Sequence, residues 1–504
     1  MRLFAKKICI FFYLAIIARF VFYYRFFMEF EMAEKKAAKK AEKFDPKTLT
    51  YSKKSGWDGI NEAKMKEIMD FAEGYKKFLT DAKTEREAVN TIFELAKAKG
   101  YKNIENATKN DKKIFINFDN VACVLAEINH TDFDKGWLMV GSHIDTPRLD
   151  LKGYPLYEKE DMAYFKTHYY GGIKKYQWVT RALALHGVVI TEEGKTVNVV
   201  VGEDENDPVF TINDLLPHLA QEQMEKGARK VIEGENMNIL IGSIPYSFKY
   251  DKDSVKLAIL DFLYKKYGFK EEDFVSAELQ LVPAGKARDV GFDRSFVGAH
   301  GQDDRICAYS ALQAIFDAGK TKENKFAMFF DKEEIGSKGN SGANSNILER
   351  AVNKLINLYG KGDYNTLINS LANSRFLSSD VNAGVEPEWA GAFEPMNAGK
   401  VGWGVCLTKF TGAGGKGNSN EAHAEFVAKC RAAFNKDDAR WQTAELGRVD
   451  LGGGGTIAMF IAEYGMQVLD VGTPILSMHS PFEVASKADL YNTYLSYKAF
   501  YKYL

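Results

Sequence analysis

Five short apolar runs in this chain each end in a polar segment that carries a histidine or carboxylates. His143 and Asp145 follow "GWLMV", Asp303 and Asp304 follow "FVGA", Glu333 and Glu334 follow "KFAMFF", Asp380 follows "FLSS", and His479 follows "TPILSM". Unbroken apolar runs of this length suit strands buried on both faces, as in sheets covered by helices on each side. Helical periodicity lies between them. Residues 58–100 return apolar side chains every three or four positions and stop at Gly100, and "QDDRICAYSALQAIFDAG" and "NSNILERAVNKLINLYG" repeat the pattern. Strands alternating with helices predict an α/β chain built on a mostly parallel sheet.

The 504 residues exceed what one core needs, so more than one domain is expected. From about residue 153 to 292 the texture changes. "VVITEEGKTVNVVVG" reads as strand, turn and strand, "YYGGIKKYQWVTRALALHG" is rich in glycine and aromatics, and "KDSVKLAILDFLYKKYG" reads as a helix. The expected organisation is an N-terminal extension (1–31), a main body in two parts (32–152 and 293–504) and an insert of mixed strands and short helices (153–292). Tyr169, Tyr170, Tyr176 and Trp178 are expected on an exposed surface of the insert, where aromatics favour interface cores.

The first thirty residues are basic, then apolar and aromatic, and are interrupted by Arg19 and Arg25. Their clean apolar run, Ile8 to Ala18, is shorter than the roughly 20 residues a spanning helix needs. A signal peptide or an anchor are alternatives. The preferred reading starts the working chain at Met32, before a charged, helix-prone stretch, with no membrane association. A net charge of -1 gives no reason to expect a nucleic acid partner. Five scattered cysteines without a CxxC pair point to a reducing compartment, read here as the cytoplasm.

Open α/β sheets bind ligands beyond the carboxyl ends of their strands. If the five runs are neighbours, their polar ends converge. Two histidines and several carboxylates suit divalent zinc, with cobalt or manganese as alternatives. A natural sharing gives His143 and Asp380 to one ion, Glu334 and His479 to a second, and Asp303 to both. Asp145, two residues after His143 on the same side of an extended segment, supports that histidine from behind. Adjacent residues of an extended segment diverge, so Glu334 can ligate while Glu333 faces a water that the ions make acidic. A carboxylate that takes this proton and passes it to a leaving amine hydrolyses an amide. Each signal alone has a plainer reading: a surface histidine, a solvated "KEE", or "QDD" as a helix cap. Their joint placement favours the metal centre. "VDLGGGGTIAMFIAEYG" lacks the pattern of a phosphate loop and reads as backbone passing close to a substrate, with Gly454 and Lys409 as candidate contacts.

In this order, "GSHIDTPRLDLK", "GQDDRICAYSAL", "FFDKEEIGSKG", "SSDVNAG" and "VGTPILSMHSPFE" resemble the M18 family of metallo-aminopeptidases, the aspartyl aminopeptidase group. They are also similar to the wider co-catalytic clan that includes the M42 peptidases. The resemblance covers nearly all of 45–500. It implies the same ligand set, Glu333 as general base and Asp145 as the aspartate behind His143. It further implies an α/β catalytic domain interrupted by a β domain that packs between subunits, and a homododecamer that trims single residues from peptide N-termini. The family's "IPxLAIHL" stands here as "LLPHLAQEQ", which puts Glu222 at the usual histidine position and makes His218 the candidate contact to a neighbour's substrate. The family's "AVHPNY" stands as "GVEPEW". Glu386 and Glu388 there would disfavour an acidic substrate side chain if they face the pocket, so a neutral or basic first residue is equally open. The alternative activity is a carboxypeptidase or N-deacylase on the same centre, with Arg148 or Arg294 binding a substrate carboxylate; a non-catalytic scaffold is the remaining one.

Overall fold

A computed structural model describes residues 17–35, 45–248 and 252–504. The apolar stretch 8–16 and the lysine–alanine patch beyond residue 35 lie outside the described residues. Residues 1–53 form one unit, in which 17–35 is an exposed helix and Pro46–Leu49 is a 3-10 turn capped by Asp45. No helix among the described residues is long and apolar enough to cross a membrane.

Residues 54–504 form the second unit. Its main sheet has nine strands, in the order Lys102–Asn103, Lys113–Phe118, Ala122–Glu127, Asn324–Phe330, Trp137–His143, Arg375–Ser378, Gln467–Gly472, Val405–Thr408 and Trp441–Thr443. The four central strands, from Asn324–Phe330 to Gln467–Gly472, run parallel. Ala122–Glu127 on one side and Val405–Thr408 on the other run antiparallel to them. The sheet is therefore mixed with a parallel centre, and the α/β class expected from the alternating pattern holds.

Side chains alternate across a strand, and this sheet buries both sets. Leu138, Val140, Ala327 and Phe329 join helices Glu62–Asp81, Glu85–Ala98, Gln302–Asp317 and Lys487–Tyr503 in one core. Trp137, Met139, Phe326, Met328 and Phe330 join Ile347–Leu358 and Tyr364–Ala372 in the other. The same local chemistry bounds the elements. Thr84 and Glu87 close a reciprocal cap at the start of Glu85–Ala98, satisfying two N–H groups that a helix leaves open. Trp137 donates its indole N–H to Ser370 Oγ (2.8 Å), so this large buried ring carries no unmet polar atom.

A second sheet, of seven strands and wholly antiparallel, lies within 148–283. Its first strand, Arg148–Lys159, begins before the change of texture at 153, because Leu149 and Asp150 already pair with Leu281 and Gln280. This sheet has its own apolar core, and Trp178 lies at its centre, completely buried. That corrects the expectation of an exposed Trp178: the indole packs in the apolar core that the insert builds for itself. Tyr169 and Tyr176 are exposed, and Tyr170 is half-buried.

A third sheet of five strands ties the polar ends together. Phe296–Ala299 leads into Gln302, Pro474–Leu476 and Glu483–Ser486 flank His479, and Asn382–Ala383 follows Asp380. Cys123, Cys307, Cys406 and Cys430 are buried and form no disulfide.

Candidate metal centre

From the strand Trp137–His143 the sheet is extended to Asn324–Phe330 on one side and to Arg375–Ser378 on the other. That is a switch in strand order, where an open α/β sheet leaves a crevice at its carboxyl edge. His143 is the last residue of this central strand. Glu333 and Glu334 follow one neighbour, Asp380 follows the other, Asp303 opens the helix Gln302–Asp317, and His479 comes from the loop of the small sheet.

These residues form two groups that share one member. The donor atoms of His143, Asp303 and Asp380 lie within 4.8 Å of one another, and so do those of Asp303, Glu334 and His479. Asp303 reaches both histidines: Oδ1 is 3.1 Å from His143 Nε2 and Oδ2 is 3.1 Å from His479 Nε2. Asp380 Oδ1 is 3.7 Å from His143 Nε2, and Glu334 Oε2 is 3.3 Å from His479 Nε2. Glu333 stands beside the first group, its Oε2 3.9 Å from His143 Nε2. Asp304 is fully buried outside both groups, and the helix cap is Gly301.

Glu333 and Glu334 are not extended, as the sequence suggested. They open the 3-10 turn Glu333–Ile335, entered through Lys332 in the left-handed region. The turn still separates their carboxylates, because Asp145 accepts both backbone N–H groups, Glu333 at Oδ1 and Glu334 at Oδ2, each at 3.1 Å. Asp145 also supports His143, whose Nδ1 is 3.0 Å from the Asp145 carbonyl oxygen and 3.3 Å from Oδ1. His479 is itself left-handed, with φ 64°.

The electrostatics are those of a site short of positive charge. Burial lowers the His143 pKa, but Asp145, Asp303 and Asp380 outweigh it and hold the imidazole well above its ordinary value. His479 is likewise disfavoured by burial, yet Asp303 and Glu334 push it up to about 11. Burial, then Asp380, raises Glu333 to about 8. Burial, then Asp303, raises Glu334. Among the three candidate ligand carboxylates Asp303 alone is pulled down, since two histidines outweigh its burial. Carboxylates that repel one another are thus crowded together, and Glu334 Oε1 is buried without a partner. Divalent cations would offset that repulsion, and imidazole with carboxylate is a donor set that zinc accepts.

Several supporting residues escaped the sequence. Glu483 Oε2 accepts from the N–H groups of Gln302 (2.6 Å) and Asp303 (3.2 Å), and its Oε1 accepts from His479 N (2.8 Å). Its one signal was a glutamate four residues after a histidine. Tyr170 donates to Asp145 Oδ2 (2.8 Å), and the Gly172 carbonyl lies 2.8 Å from His479 Nδ1; no local pattern marks either.

The candidate substrate contacts divide. Gly454 N donates to Thr411 O (3.2 Å), which lays the glycine loop beside the segment after Lys409. The loop is tied to the sheet by Thr456, which donates to Asp470 (2.7 Å). Lys409 is exposed. His218 is exposed in the turn Pro217–Leu219 and takes no part in the hydrogen bonds around the centre. Glu386 accepts from Ser477 N (2.9 Å), whereas Glu388 is exposed. Arg148 is buried against Glu85 and Asp150, with its guanidinium 3.8 Å from the Tyr170 ring centre, so it is already committed within the protein.

An α/β sheet with histidines and carboxylates gathered at its switch point can hold metal ions there, and the family model described as Aminopeptidase I zinc metalloprotease (M18) matches residues 78–501. A "Probable M18 family aminopeptidase 1" from Clostridium acetobutylicum is 47% identical over 461 residues, covering 90% of this chain and 99% of that protein. The crystal structure of an M18-family aminopeptidase from Thermotoga maritima, 42% identical, superposes with a TM-score of 0.87 over 90% of this chain and 100% of that one. The yeast mApe1 dodecamer, 20% identical, shares the fold with a TM-score of 0.69 over 86% of this chain and 96% of that one. The chain belongs to the M18 family. It is a metallo-aminopeptidase, which sets aside the carboxypeptidase, deacylase and scaffold alternatives.

Proposed function

We propose that the chain binds two divalent ions, zinc first, and uses them to remove the N-terminal residue of short unfolded peptides. The observation that carries this reading is Asp303, whose two oxygens each stand 3.1 Å from a different histidine. His143 and Asp380 would hold one ion, Glu334 and His479 the other, and Asp303 both. Bound there, the ions would supply Lewis-acid polarisation of the scissile carbonyl and a more acidic attacking water. Glu333 then acts as the base. Its Oε2 stands 3.9 Å from His143 Nε2, beside the first donor group, which suits the carboxylate to take a proton from water and pass it to the leaving amine. Asp145 fixes the His143 ring and the Glu333–Glu334 turn together.

Gly454 and Lys409 are the proposed substrate contacts on this chain, and His218 the proposed contact to a neighbouring subunit. In the same reading 32–152 and 293–504 form the catalytic domain, 153–292 mediates dimerisation, and dimers assemble into a cytoplasmic homododecamer. The yeast mApe1 dodecamer supports that assembly by fold alone. The test is a panel of peptides with free and acetylated N-termini. Release of the first residue only from free termini is expected; equal cleavage of the acetylated set would overturn the reading.

A further inference from the structure

The end of the insert strand Met162–Tyr170 threads between the two halves of the centre. Tyr170 donates its hydroxyl to Asp145 Oδ2 (2.8 Å), and the Gly172 carbonyl stands 2.8 Å from His479 Nδ1. Gly171 lies between them with φ +76°, where a Cβ would be 3.2 Å from Glu334 Oε2 and 3.3 Å from Pro147 Cγ. Tyr170, the last residue of a strand in the seven-stranded sheet, and the two glycines that follow it therefore touch supports or donors on both sides of Asp303.

Asp145 is the hub of the first side. Its Oδ1 faces His143 Nδ1 and the Glu333 N–H, and its Oδ2 takes the Glu334 N–H and the Tyr170 hydroxyl. With no exposure to solvent, the carboxylate has no other partner to replace a lost donor. Tyr170 is held in turn by the Arg148 guanidinium over its ring, and Arg148 is anchored by Glu85 and Asp150. The contact is thus rigid from the insert inward. On the second side the Gly172 carbonyl faces Nδ1 of His479 and leaves Nε2 for Asp303 and Glu334. Partners of this kind fix the ring orientation of a ligating histidine.

We propose that Tyr170–Gly171–Gly172 is a positioning element, through which the insert sets both histidine ligands and the spacing of the two ions. This rests on the two-ion reading above. Tyr170 acts through Asp145, and the glycines act by backbone alone, since a side chain at 171 would press on Glu334.

The test compares wild type, Tyr170→Phe and Gly171→Ala by graded chelator competition, cobalt absorption spectra and unfolding of the metal-free chain. Tyr170→Phe keeps the ring beneath Arg148 and removes one hydrogen bond. It is expected to bind one of its two ions roughly 10–100-fold more weakly, with an altered cobalt spectrum, while the metal-free chain loses no more stability than one buried hydrogen bond supplies. Gly171→Ala is expected to weaken the other ion. Wild-type affinity for both ions in Tyr170→Phe overturns the proposal, as does a metal-free midpoint that falls in step with affinity. A wild-type chain that saturates at one ion overturns the two-ion reading itself, and this proposal with it.

Discussion

Glu333 is the residue on which turnover should depend while metal binding does not. Glu333→Gln removes proton acceptance but leaves the two donor groups intact, so metal content should match wild type and kcat should fall by roughly 10²–10⁴-fold. Metal analysis beside steady-state kinetics checks this, and near-normal kcat would reassign the base. His300 makes a pH prediction. It is buried, its Nε2 lies 2.9 Å from the Pro147 carbonyl, and burial lowers its pKa from 6.5 to about 3. Below pH 6.5 the unfolded chain takes up a proton that the folded chain refuses. Stability attributable to His300 is therefore present above 6.5 and lost as pH falls toward 3, at up to about 1.4 kcal/mol per pH unit. Urea unfolding of the metal-free protein at falling pH should show a shallower acid loss in His300→Gln than in wild type; parallel curves would contradict it. The five ligand candidates, Asp145 and Glu333 were legible because each follows an apolar run and carries chemistry that a core does not need. Tyr170, Glu483 and Gly172 were not, because their contacts arise from pairings far apart in sequence and, for Gly172, from a backbone atom.

At the scale of elements, local rules predicted existence better than conformation. The runs "WLMV" and "KFAMFF" became neighbouring parallel strands because each buries both faces. "KEE" became a 3-10 turn because Lys332 turns left-handed and Asp145 captures two successive N–H groups, a long-range cause that no window of sequence contains. Trp178 read as a surface aromatic from its glycine-rich setting, yet the insert has a core of its own to fill. Thr84 offers a test of local chemistry. Thr84→Ala removes its cap on Glu87 N and should cost about 1 kcal/mol in chemical denaturation. An unchanged midpoint would mean that packing alone holds the start of Glu85–Ala98.

For the whole molecule, the alternation of strands and helices gave the α/β class, while the crossing order that puts His143 at a switch point came only with the fold. Assembly is the coarsest expectation. Light scattering on the purified chain should give the mass of twelve subunits, and a fully active species at 56.7 kDa would refute both the dodecamer and any pocket shared with a neighbour. The central claim is narrower than assembly: one carboxylate, Asp303, holds two ions. Zinc titration of the metal-free protein, with metal counted per chain in wild type and Asp303→Ala, tests it most directly. Two tightly held ions in wild type and weakened binding of both in Asp303→Ala are predicted. A wild type that saturates at one ion, or an Asp303→Ala chain that keeps two, would contradict the account.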